Sequence, residues 1–98
     1  MSTEHEPNPE CVAICKGFLQ QCEATKKPQN RGPLFLTTYG LKHVIERWAG
    51  DHYIHEIELV IALMDLGFSL HWCGHGITFT TNVCQKSARR VVVQGRKQ

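Results

Sequence analysis

The sequence lacks most of the features that declare a function outright. It holds no CxxC and no HExxH, and none of its cysteines and histidines pair at a standard zinc spacing. It has no glycine-rich oxyanion loop, no internal repeat and no low-complexity segment. It has no apolar run long enough to cross a bilayer. The first ten residues, MSTEHEPNPE, carry acid but no Lys or Arg, the reverse of a secretory leader. A cytoplasmic location is therefore expected, with reduced thiols. Five cysteines is an odd number, which argues against a complete disulfide framework. The formal charge of +2 is too small to argue for nucleic acid by itself. Charge is nonetheless uneven, because residues 82–98 contain Lys86, Arg89, Arg90, Arg96 and Lys97 and no acid at all.

What remains is an ordinary globular composition over 98 residues, 42% apolar and 20% charged, which is enough for one domain with a real core. Residues 1–8 are expected to be a flexible leader, 9–94 a single α+β domain, and 95–98 a basic tail end. Asn8-Pro9-Glu10 reads as a helix start, with an amide cap, proline at the first helical position and an acid against the dipole. That helix is expected to run to about residue 24 or 25, with Cys11, Cys15, Phe18 and Cys22 on one face. Three thiols over eleven helical residues span about 16 Å, too far for one metal ion, so they are expected as small buried apolar groups.

Leu34-Phe35-Leu36 is a short apolar run, an edge strand or a loop covering the core. Thr37 or Thr38 caps a second helix over about 39–49, with Leu41, Val44, Ile45 and Trp48 inward and Lys42, His43, Glu46 and Arg47 outward. Tyr53 to Phe68 is the most apolar stretch. It reads as a central helix buried on several sides, stopped by Gly67, with His55, Glu58 and Asp65 on its exposed strip. The period then changes from 3.6 to 2. Residues 69–73 and 77–81 alternate about Gly74-His75-Gly76, a hairpin with Leu70, Trp72, Ile77 and Phe79 toward the core. Residues 89–94, RRVVVQ, suggest a short third strand. Three helices and a small antiparallel sheet result, in the order of a winged-helix domain, an analogy of topology.

Four kinds of chemistry were weighed against this frame. His52, His55, His71, Cys73, His75 and Cys84 are ligand types, but solvated turn and surface residues explain them, and no metal or other cofactor is expected. Cys73 between His71 and His75 is the one local nucleophile candidate, on a hairpin with no cleft to serve it, so no enzyme is expected. A nucleic-acid reading has the basic tail and the wing. Against it, the strip His55, Glu58 and Asp65 would turn acid toward phosphate where a recognition helix shows bases and amides. A protein partner suits the remaining features: no catalytic set, ends of opposite charge and patches of mixed sign. The candidate contacts are Lys42, His43, Arg47, Glu58, Asp65, His71 and His75, with Lys86, Arg89 and Arg90 for a partner or a nucleic-acid backbone.

The segment TTYGLKHVIERWAGDHYIHEIELVIALMDLGF resembles a pattern found in small accessory proteins of bacteriophages and other mobile elements. The residues that carry it are Tyr39, Leu41, Lys42, His43, Glu46, Tyr53, Ile54, Gly67 and Phe68, over about a third of the chain. Where that pattern places Ser-Asn-Gly as a helix cap, this chain has His55 and Glu56. The resemblance implies a short non-catalytic product that binds and blocks a host protein complex, such as a CRISPR effector.

Overall fold

The computed structural model describes residues 6–26, 37–72, 74, 76 and 78–95. Among these residues, four helices and one two-stranded antiparallel sheet make an α+β fold: α1 (Pro9–Leu19), α2 (Thr38–Trp48), α3 (Glu56–Asp65), β1 (Leu70–Trp72), β2 (Phe79–Thr81) and α4 (Gln85–Gln94). No helix among the described residues is long and apolar enough to cross a membrane. The expected run at Leu34 to Leu36 lies outside the described residues, as do Cys73, His75 and Ile77.

The helix starts form as their residues dictate. Asn8 Oδ1 accepts from the Glu10 amide at 2.9 Å, and Thr37 Oγ1 accepts from the Gly40 amide at 3.4 Å. His55 caps α3 in place of a smaller polar residue: its Nδ1 accepts from the Ile57 amide at 3.1 Å, and Glu58 Oε1 accepts from the His55 amide at 2.8 Å. The reciprocal pair is a capping box. Gly67, at φ +84°, ends the helix. Its amide donates to Met64 O and the Phe68 amide donates to Leu63 O, which is a Schellman closure.

The core joins Ile14, Cys15, Phe18 and Leu19 of α1 to Leu41 and Ile45 of α2, Leu59, Ala62 and Leu63 of α3, and Ala88 and Val91 of α4, with Ile54 and Val83 between elements. Cys11 and Cys15 of α1 are buried as expected, while Cys22 lies beyond the helix and is half-buried. Cys15 is fully buried, and burial, with Glu58 nearby, pushes its pKa up to about 12. Burial likewise pushes Cys22 up to about 11.

Several expectations are corrected. Helix α1 stops at Leu19, because the chain after it pairs with the segment after β2. The Cys84 amide donates to Glu23 O at 2.8 Å and the Thr25 amide to Asn82 O at 2.7 Å, with a bridge between Ala24 and Val83. Residues 85–94 are a helix and no third strand. Ser87, Ala88 and Val91 recur at i, i+1 and i+4 and bury against the core, so packing overrides the β-leaning valines. Trp72 stays 64% exposed at the end of the ladder opposite Phe79, with its indole N–H donating to Gly76 O. Met64, expected inside, is also exposed. Lys42 and Glu58, expected on exposed faces, are buried.

Candidate docking surface

Lys42 is buried because it has a partner. Its Nζ lies 2.8 Å from Glu46 Oε2 and 4.8 Å from the centroid of the Tyr53 ring. Glu46 also accepts from the Ile54 amide at 2.8 Å, and its Oε1 stands 3.0 Å from His43 Nδ1. Burial would raise the Glu46 pKa. The hydrogen bonds from Lys42, Ile54 and His43 outweigh that and hold it below the usual carboxylate range. This network fastens the Tyr53–Ile54 connection to the side of α2. Glu58 does similar work across the molecule, accepting from the Asn8 amide at 2.7 Å and from the His55 amide, so one carboxylate joins the starts of α1 and α3.

With Lys42 turned inward, the outward face of α2 is Tyr39, His43 and Arg47, at i, i+4 and i+8. Tyr39 and His43 meet edge to face, with centroids 4.6 Å apart. This ridge separates two clefts. One, of about 340 Å³, is lined by His43, Glu46, Arg47, Asp51 and Tyr53. The other, of about 350 Å³, is lined by Gly40, His43, Val44, Arg47 and Val92, and lies between α2 and α4. His43 and Arg47 line both.

Helix α4 supplies the far border of the second cleft. Its buried side is Ser87, Ala88 and Val91; its exposed side is Lys86, Arg89, Arg90 and Val93. Among the described residues, Arg47, Lys86, Arg89 and Arg90 form no ion pair. Arg89 precedes Val92 by three residues and so flanks it on the helix surface. The fold thus puts His43 and Arg47 in one cleft with Arg89 at its edge, and leaves Lys86 and Arg90 further round α4. It leaves the other candidates elsewhere. Asp65 is on α3, 2.9 Å from Lys16 of α1. His71 is exposed on β1 opposite Thr80. Glu58 and Lys42 are inside, and His75 lies outside the described residues.

Sequence reasoning missed Tyr39, Tyr53 and Val92, which are 54%, 66% and 42% exposed. The i, i+4, i+8 row of Tyr39, His43 and Arg47 was a usable signal for the first. Val92 needed residues 85–94 to be read as a helix.

Among the described residues, no three His, Cys, Asp or Glu side chains are placed to hold a metal ion. One thiol and one imidazole do approach: Cys11 Sγ is 3.5 Å from His52 Nε2 and donates to Tyr53 O. Burial, with the Glu58 charge, pushes that thiol's pKa up, opposite to what a reactive cysteine requires. No family model matches the chain, and neither a curated protein nor a solved structure matches it.

Proposed function

We propose that this chain is a small non-catalytic binding protein of phage or mobile-element origin. It acts in the host cytoplasm by docking onto a host protein complex, and the resemblance of residues 37–68 points to inhibition of a defence complex such as a CRISPR effector. The observation that carries the docking reading is the ridge Tyr39–His43–Arg47 standing between two clefts, with exposed aromatic, cationic and apolar groups on one face. Tyr and Arg are the residue types enriched where interfaces concentrate binding energy.

A second reading is a winged-helix DNA-binding regulator. The exposed row Lys86, Arg89 and Arg90 on α4 favours it. Helix α3, the element that would enter a groove, argues against it: its exposed residues are Met64 and Asp65, which offer no cation to phosphate and no Arg, Lys, Asn or Gln to a base.

Affinity purification of the tagged full chain from nuclease-treated host lysate, with mass spectrometry of the eluate, separates the two. A stoichiometric protein complex is expected. Retention of partners only when DNA is left intact would replace the docking reading with the regulator.

A further inference from the structure

The second cleft differs from the first in its charge. The first carries Glu46 and Asp51 beside His43 and Arg47, so its field is mixed. Among the described residues the second has no carboxylate in its lining. Gly40, Val44 and Val92 give it an apolar wall, and its ionisable lining residues are His43 and Arg47. Helix α4 has no acid along its length, and it adds Arg89 at the rim with Lys86 and Arg90 beyond. At about 350 Å³ the cleft is at the small end of ligand pockets, which run from about 300 to 1,000 Å³. That size suits inserted side chains better than a whole cofactor.

Val92 and Val93 are 42% and 80% exposed, on a helix whose other exposed residues, Lys86, Arg89, Arg90 and Gln94, are charged or polar. A single exposed valine needs no explanation. One that lines an apolar cleft, with Arg47 in the same lining and Arg89 flanking it on the helix, neither in an ion pair among the described residues, gives the core-and-rim pattern of an interface. A phosphate backbone would satisfy the rim but has nothing to place against Val44 and Val92. A purely apolar partner would cover the valines and leave Arg47 and Arg89 desolvated without a counter-charge. Both demands are met by one chemistry, an amphipathic segment with apolar and acidic side chains at helical spacing.

We propose that the cleft between α2 and α4 seats an acidic amphipathic segment of the partner protein. Its apolar side chain enters between Val44 and Val92, and its carboxylates pair with Arg47 and Arg89. This rests on the docking reading above and narrows it to one surface and one partner chemistry. The exposed positions of Val92 and Arg89 make substitutions there tolerable to the fold.

The test uses the full chain and fluorescently labelled probes, read by anisotropy. One peptide carries Leu and Glu at amphipathic helical spacing; a second has every Leu replaced by Ser; the third probe is a single-stranded oligonucleotide. The Leu/Glu peptide should bind at least about tenfold more tightly than the Ser/Glu peptide, the step that one well-buried apolar anchor supplies. Val92→Ser should remove most of that advantage. Arg47→Glu with Arg89→Glu should weaken binding by about tenfold or more, with circular dichroism confirming that both variants fold. Equal binding of the two peptides, no effect of Val92→Ser, no peptide binding, or preference for the oligonucleotide would each overturn the proposal. A protein complex captured from nuclease-treated lysate and retained by both variants would leave the docking reading intact and place its surface elsewhere.

Discussion

Glu46 is the residue on which the ridge depends. It holds Lys42, His43 and the Ile54 amide together, and its side chain is only 14% exposed. Glu46→Gln should cost about 3 kcal/mol, the range for removing one partner of a buried pair, and lower Tm by at least about 12 °C. Because the folded-state pKa lies below the ordinary 4.5, the stabilisation is present above that value and is lost as pH falls through the folded pKa. The stability gap between wild type and Glu46→Gln, measured by urea melts, should therefore be widest near neutral pH and close on acidification. Cys15 works in the opposite sense. A thiol raised from 9.0 to about 12 favours the fold below pH 9 and ceases to do so as pH rises toward 12. In native protein near neutral pH, iodoacetamide should modify half-exposed Cys84 well before Cys15, as mass spectrometry of timed samples would show. The burial of Cys11 and Cys15 was legible from their spacing; that of Cys22 was not complete, because the helix ends before it. The inward turn of Lys42 and Glu58 was not, because periodicity places a residue on a face but does not reveal a partner waiting there. Lys42, His43, Glu46, Tyr53 and Ile54 make one connected unit.

At the scale of elements, Thr38 does for the sheet what Glu46 does for the ridge. Its hydroxyl donates to Glu56 Oε2 at 3.0 Å and accepts from the Phe79 amide at 3.0 Å, joining the starts of α2 and α3 to β2. Thr78 adds a second hydroxyl to the same carboxylate oxygen. Thr38→Val keeps the shape and removes both bonds, so it should cost about 1–3 kcal/mol in a thermal or urea melt. Thr38→Ser, which keeps the hydroxyl, should cost less. The starts of α1 and α2, the stop at Gly67 and the hairpin could all be read from local residues, because caps and alternation are local signals; the start of α3 at Glu56, three residues after the expected Tyr53, could not, since histidine is outside the usual cap set. The end of α1 and the identity of α4 could not. Both follow from pairing of residues 23–25 with 82–84, contacts between positions nearly sixty residues apart that no window of sequence contains. Asn82 anchors that pairing: its side chain accepts from the Ser69 amide at 2.8 Å and donates to Thr25 O at 2.8 Å.

For the molecule as a whole, the fold sorts the charged candidates onto two surfaces. His43 and Arg47 share a cleft with α4, whose exposed row adds Lys86, Arg89 and Arg90; Asp65 and His71 stand on α3 and the hairpin. The sequence could offer all of them as contacts and could not say which belong together, since that grouping depends on α4 being a helix beside α2. The central claim is that recognition belongs to the α2–α4 surface. The most direct measurement is quantitative capture of partner from nuclease-treated host lysate by three folded proteins: wild type, Arg47→Glu with Arg89→Glu, and Asp65→Lys with His71→Glu. The second pair breaks only the exposed Lys16–Asp65 bridge, worth at most about 1 kcal/mol, so that variant should fold. Capture should fall by about tenfold or more in the first variant, as expected for loss of paired interface charges, and stay near wild type in the second. Loss in the second variant with full capture by the first would contradict the account and move the site to α3 and the hairpin.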